Sequence, residues 1–293
     1  MRLYLFYLIG FFLCAVLPRR VCYAVARRVA DLWSSRSPQD VEAVRGNLEA
    51  ILGRRPSAEE VRQVFRNFSM YLVDFFRFGR LTPDKVRRLI RFDGVERMEE
   101  ALREGRGAIG VTAHLGNYEL AGAVLSLLGM PLHGVVLSHR NPWVDDFFTR
   151  QRAKARVSSI PVQRMTGREF LERALSVLRR NEVLGLVADR DYFDHGIVLP
   201  LFGRPIRLPT GPAGFSLRTG APIIPCFLIR EENGGYRFIL ERLLRAPRGA
   251  GRDEAVRHLT EQWRDILARF LRRYPTQWYM FQSYWRPGPV LIR

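Results

Sequence analysis

Residues 107–119 read Gly107-Ala-Ile-Gly-Val-Thr-Ala-His114-Leu-Gly-Asn-Tyr-Glu119. The short apolar run bounded by glycine predicts a buried strand over Ala108–Ala113. The apolar segment after it, Asn117–Leu128, predicts a helix. His114 therefore falls where a strand hands over to a helix, the usual place for a site in an α/β sheet. An imidazole that acts as a base needs a partner to fix its tautomer and stabilise its charged form, and a carboxylate does both. On one continuous helix, residues five apart would point about 140° away from each other. His114 and Glu119 can meet only if the histidine lies in the loop and the glutamate on the first helical turn. So placed, the pair is expected to activate an oxygen nucleophile. A zinc site would want two histidines at helical spacing and a further ligand. His133, His139, His195 and His258 do not supply that spacing, so neither metal nor cofactor is expected.

Outward from this stretch the chain alternates. Further strands are predicted over Leu132–Leu137, Val183–Ala188, Pro222–Ile229 and Tyr236–Arg242. Helices are predicted over Pro142–Ala155, Gly167–Arg180, Gly211–Thr219 and Asp253–Arg273. The alternation implies an α/β fold, a mixed sheet covered by helices. Residues 38–105 read as helical, with Ser57-Ala-Glu-Glu60 close to a capping box. The expected organisation is an anchor over 1–33, a helical extension over 34–105 and an α/β core over 106–293.

At the N-terminus, Leu3–Leu17 is uninterrupted apolar sequence, followed by Pro18-Arg19-Arg20. Fifteen helical residues reach roughly 22 Å, short of the roughly 30 Å hydrocarbon core of a bilayer. No small-x-small cleavage pattern follows. Val21–Trp33 mixes apolar residues with Arg27 and Arg28, as an interfacial helix does. A retained anchor is expected, embedded or marginally spanning, with its basic flank keeping the body on the cytoplasmic side.

The formal net charge is +18, with lysine only at Lys85 and Lys154. Such a surface attracts anionic lipid or an acidic protein. No nucleic-acid module is recognisable, and a nucleic-acid partner is not expected. The cysteines Cys14, Cys22 and Cys226 form no C-x-x-C pair, which points to a reducing compartment.

Three more segments sit at or beyond strand ends: Ser138-His-Arg140-Asn141-Pro142, Ala188-Asp189-Arg190-Asp191-Tyr192, and Leu208-Pro-Thr210-Gly211-Pro212. Arginine on such a rim suits phosphate or phosphopantetheine, because its fork matches phosphate oxygens. Arg140 and Arg190 could equally pair with Asp145 and Asp191 for structural reasons. Thr210 is placed to cap a helix, whose free N-terminus can hold an anion or a developing oxyanion.

Taken in order, these segments resemble the bacterial lipid A biosynthesis acyltransferases, the lauroyl/myristoyl type of the lysophospholipid acyltransferase superfamily. The resemblance is carried by Thr112–Glu119, Arg140–Pro142, Asp189–Asp191, Val198–Gly203, Pro209–Ala213 through Arg218–Pro225, and Tyr274–Tyr279. It implies a glycerolipid acyltransferase-like fold, with His114 as general base and Glu119 as its charge partner. Residues expected to meet substrate are Asn117, Arg140, Asn141, Asp189, Arg190, Thr210 and Gly211. Backbone amides near Gly116-Asn117 or Gly211 are candidate oxyanion donors. Asp189-Arg-Asp191 stands about where glycerophosphate acyltransferases carry Glu-Gly-Thr-Arg, which argues against phospholipid synthesis. The resemblance further implies an acyl-carrier protein or acyl-CoA donor and a membrane glycolipid acceptor. That acceptor would be a lipid A precursor or a phosphoinositide mannoside, met on the cytoplasmic face of the cell inner membrane. A thioesterase or lipase is the competing reading, against which stands the lack of a G-x-S-x-G elbow. A non-catalytic lipid-binding protein would need neither Glu119 nor the arginines.

Overall fold

In the computed structural model, which describes residues 2–285, five helices come first. They are α1 (Arg2–Val16), α2 (Arg19–Arg36), α3 (Pro38–Leu52), α4 (Ala58–Phe76) and α5 (Pro83–Leu89). Then follow β1 (Ile90–Asp93), α6 (Glu96–Arg103), β2 (Ala108–Thr112), α7 (Tyr118–Leu127), β3 (Leu132–Val136), α8 (Pro142–Lys154) and β4 (Ser158–Pro161). The chain continues through α9 (Gly167–Arg179), β5 (Val183–Val187), a hairpin of β6 (Ile197–Leu201) and β7 (Arg204–Leu208), and α10 (Gly211–Thr219). It closes with β8 (Ile223–Arg230), β9 (Tyr236–Leu240) and α11 (Arg252–Arg273).

Seven strands form one sheet in the order β1-β9-β8-β2-β5-β3-β4. Strands β8, β2, β5, β3 and β4 are mutually parallel, and β9 turns back antiparallel on β8. The helical reading of 38–105 is corrected at Ile90–Asp93, which pairs parallel with β9 at the sheet edge. Ile90 is buried, and Phe92 packs against the core beside Phe238. Four residues between two helices are too few for a period-2 signal to register. Strand β4 and the β6–β7 hairpin are likewise not foreseen by the pattern.

Side chains alternate across the parallel strands, as a pleated sheet requires. Ala108, Val183, Ile224, Cys226 and Leu228 face one core, packed under α7 and α8 and the N-terminal helices. Ile109, Val111, Leu184, Ile223 and Phe227 face the other, under α9, α10 and α11, where Phe227 stacks on Phe270 with centroids 3.9 Å apart. A strand buried on both faces must be apolar throughout, which is why β2 and β8 read as continuous hydrophobic runs.

Helix α4 starts with a complete capping box. The Ser57 hydroxyl accepts from the Glu60 amide, and the Glu60 carboxylate accepts from the Ser57 amide. On its other side α1 lies against α4 and α8, with the Tyr7 ring meeting those of Phe76, Phe147 and Phe148. Among the described residues no helix is long and apolar enough to cross a membrane. Arg19, expected in a basic flank, turns inward instead: its Nε donates to the buried Asp74 at 2.9 Å. Tyr23, Arg230 and Tyr236 donate to the same carboxylate, which locks α2 and α4 onto β8 and β9.

Candidate active site

His114 and Asp189 are brought together by strand register. β2 and β5 are parallel neighbours paired from Ala108↔Val183 to Thr112↔Val187. Each chain runs two residues further before leaving the sheet, so the side chains of residues 114 and 189 emerge side by side. Adjacent strands lie about 4.8 Å apart, close enough for direct contact. Both residues continue the alternation that faces α7 and α8. The result is a 2.8 Å bond between His114 Nδ1 and Asp189 Oδ1, with Asp189 Oδ2 accepting from the His114 amide at 3.1 Å.

Asp189 is fully buried, and burial alone would raise its pKa. The His114 charge and the hydrogen bonds from His114 and Trp278 outweigh that and hold it below the usual carboxylate range. Trp278 Nε1 donates to Oδ2 at 2.9 Å, and the Tyr284 hydroxyl donates to the Asp189 carbonyl. With Nδ1 engaged, Nε2 is the ring nitrogen left for the cavity.

The loop between β2 and α7 is pinned by its backbone. The Gly116 amide donates to the Gln277 carbonyl at 2.9 Å, and the Asn117 amide to the Leu228 carbonyl at 2.7 Å. These two amides are therefore not oxyanion donors, contrary to the sequence expectation. Gly116 has φ +66, and a Cβ there would stand 2.2 Å from the Leu228 carbonyl oxygen, so only glycine fits this approach. Tyr279 closes the loop by donating its amide to the His114 carbonyl at 2.8 Å.

Glu119 does lie on the first turn of α7, as expected, but it does not partner His114. Its carboxylate takes both Arg152 Nε, at 2.9 Å, and Arg152 Nη2, at 2.6 Å. The pair is nearly buried, and Glu119 keeps the Arg152 pKa raised against the effect of desolvation. Helix geometry explains the correction. His114 and Glu119 are joined through a loop that aims the glutamate toward α8, where a guanidinium fork satisfies it twice. Beside them Tyr71 donates its hydroxyl to that of Tyr118 at 3.1 Å, and burial raises both pKa values, so both remain neutral phenols.

These groups open onto a cavity of about 810 Å³. His114, Glu119, Arg190, Thr210 and Gly211 all line it, whereas Asp189 sits behind His114. Much of the wall is apolar, including Val135, Phe148, Met165, Phe170, Leu186 and Phe215. Among the described lining residues there is no serine or cysteine. Arg190 donates to Gln282 at 2.7 Å and stacks over Tyr192, and so is not paired with Asp191. Thr210 stands at the N-cap of α10 without a side-chain cap bond.

Four expected substrate contacts do not line the cavity: Asp189 is instead the partner of His114, and three others are placed elsewhere. Asn117 is buried as the N-cap of α7, accepting from the Leu120 amide and donating to the Tyr236 hydroxyl. Asn141 caps α8 through the Trp143 amide. Arg140 is exposed and does not line the cavity, and Asp145 is bonded by Arg164 and the His139 amide instead. Conversely Arg152, Tyr71, Tyr118 and Trp278 belong to the site without having been singled out for it.

An imidazole held by a buried carboxylate thus opens onto a largely apolar cavity whose described lining holds no serine or cysteine. The chain belongs to the bacterial lipid A biosynthesis acyltransferase family, whose profile matches residues 1–287, and it is an acyltransferase. It is similar to the phosphatidylinositol mannoside acyltransferase of Mycobacterium tuberculosis (strain CDC 1551 / Oshkosh), 27% identical over 83% of this chain and 77% of that protein. The protein of that name from Mycolicibacterium smegmatis is 26% identical over 83% of this chain and 79% of its own length. The lipid A biosynthesis palmitoleoyltransferase of Escherichia coli (strain K12) is 23% identical over 84% and 78%.

Proposed function

We propose that this enzyme moves a fatty acyl chain from acyl-carrier protein or acyl-CoA to a hydroxyl of a membrane glycolipid, a lipid A precursor in the first reading. The observation that carries the mechanism is the His114–Asp189 pair on the cavity wall. His114 Nε2 takes the proton of the acceptor hydroxyl as its oxygen attacks the thioester carbonyl. Asp189 holds the imidazole through Nδ1 and stabilises the imidazolium, as the acid does in a serine-hydrolase triad. The tetrahedral intermediate then expels the thiolate, which takes the proton back from Nε2. The ester C–O bond has replaced the C–S bond, and no acyl-enzyme forms.

The apolar wall suits an acyl chain. Arg152, Arg190 and the α10 N-terminus at Gly211 suit phosphate or the developing oxyanion. Glu119 acts as a positioning residue, holding Arg152 and the first turn of α7. Asn117, Arg140 and Asn141 have no part in substrate contact in this reading. The exposed apolar faces of α1 and α2 support a place on the cytoplasmic face of the cell inner membrane, and the basic surface suits an acidic carrier protein. A second reading, with a phosphoinositide mannoside as acceptor, is favoured by the names of the mycobacterial relatives.

The test is a purified assay with acyl-carrier protein and acyl-CoA donors, paired with mass spectrometry of membrane glycolipids after deletion of the protein. Loss of one acyl chain from a glycolipid names acceptor and chain length together. Release of free fatty acid with no acylated lipid would contradict transfer.

A further inference from the structure

A second recess, of about 400 Å³, lies away from the catalytic cavity, walled by the start of α2, the end of α4 with the turn after it, and α5. Its walls carry Arg19, Arg77, Arg80, Lys85 and Arg88 around one carboxylate, Asp74. That carboxylate is already neutralised by Arg19 and Arg230, each at 2.9 Å. Arg77 donates to the carbonyls of Cys14 and Leu17, and Arg80 to that of Ala15, which caps the end of α1. Helix capping thus accounts for two of the cations.

It does not account for the others. Among the described residues Lys85 reaches only the Arg80 carbonyl, and Arg88 lines the recess without an ion pair. Arg19 Nη2 is buried without any hydrogen-bond partner, and a buried charged donor left unpaired is costly. The chain's only two lysines flank Arg80, Lys85 here and Lys154 on an adjoining recess walled by Phe11 and Phe76. Concentrated positive charge with an unmet donor calls for an oxygen-rich anion, and guanidinium forks match phosphate.

The surroundings decide which phosphate. Ten of the thirteen exposed large apolar side chains described lie on α1 and α2. On α1 they are Leu5, Phe6, Ile9, Phe12, Leu13 and Val16, one face of the helix whose C-terminal carbonyls Arg77 and Arg80 hold. On α2 they resume as Val21, Val25, Val29 and Leu32. Apolar faces interrupted by a basic corner fit the boundary between acyl chains and anionic headgroups. We propose that this recess binds the headgroup phosphate of an anionic membrane phospholipid and so fixes how the enzyme sits on its membrane. The inference rests on the membrane reading of α1 and α2, but it can fail separately.

The test is sedimentation of the full-chain protein with phosphatidylcholine vesicles, with and without phosphatidylglycerol. Lys85→Glu/Arg88→Glu, on exposed positions, is compared with Arg204→Glu/Arg248→Glu, an equal charge change elsewhere. The neutral pair Lys85→Gln/Arg88→Gln serves if reversal disturbs folding, with thermal melting as the control. Wild type is expected to gain affinity from phosphatidylglycerol, and the recess pair to lose about tenfold of it while the distant pair loses far less. Phe12→Ser/Val25→Ser should weaken binding to both vesicle types. Equal losses from the two charge-reversed pairs would overturn the recess in favour of diffuse attraction. So would full competition by inorganic phosphate alone, which would make it a soluble-phosphate site. Failure of wild type to bind any vesicle would instead sink the membrane reading itself.

Discussion

Asp189 and Glu119 enter the active site from different architectures, the tip of a strand and the first turn of a helix. Asp189 is placed by the paired register of β2 and β5, so its distance to His114 is fixed by the sheet's own hydrogen bonds. Glu119 is placed by a loop and a helix, and its direction depends on what that helix packs against. Here α8 offers Arg152, and the glutamate takes it. Proximity in sequence made Glu119 the obvious partner. Proximity in the sheet made Asp189 the actual one.

The largest expected effect falls on His114, the proposed base, which Asp189 holds and Glu119 does not. His114→Ala should lower turnover by about 10⁴-fold with unchanged thermal melting. Near-wild-type transfer would break the mechanism. Asp189→Asn should follow at about 10³-fold, since the amide cannot stabilise the imidazolium. The same variant tests the carboxylate's titration. A depressed pKa contributes stability above the unfolded value, which is lost as pH falls through the folded one. Asp189 lies below its ordinary 3.8, so the stability gap between wild type and Asp189→Asn should narrow as urea midpoints are taken into acid.

Glu119→Gln sharpens the contrast from the other side. It strips a nearly buried guanidinium of its partner and should cost about 3 kcal/mol of stability. Turnover at a temperature where the variant is folded should fall only about tenfold. Replacing Arg152 as well, by Met, should recover part of that stability. Smallest in direct effect on chemistry is Gly116→Ala. It should lower the melting temperature through its positive φ and the Leu228 contact, and turnover only as far as the loop shifts.

Much of this was legible in the chain. The strands at 108–113 and 183–188, the helices between them and the position of His114 all follow from apolar runs and glycine punctuation. The true pairing was also written there. Ala108-Ile-Gly-Val-Thr-Ala-His114 and Val183-Leu-Gly-Leu-Val-Ala-Asp189 are parallel heptads, glycine opposite glycine and alanine opposite alanine, in the register that the sheet adopts. Reading them as neighbours requires knowing that β5 inserts between β2 and β3, and no local pattern states strand order. Arg152 was hidden for a related reason: on its own helix it is one basic residue among several near the C-terminus of α8. Asn117, Arg140 and Asn141 show the opposite error. Two of them are caps, and the demand of a helix end for an acceptor was enough to explain the asparagines.

The most direct measurement is the Nδ1 proton of His114, observed by NMR in ¹⁵N-histidine-labelled protein and assigned by its loss in His114→Ala. The pairing described here predicts a downfield Nδ1 proton in wild type that persists in Glu119→Gln and is lost or shifted strongly upfield in Asp189→Asn. The reverse pattern, retained in Asp189→Asn and lost in Glu119→Gln, would contradict it.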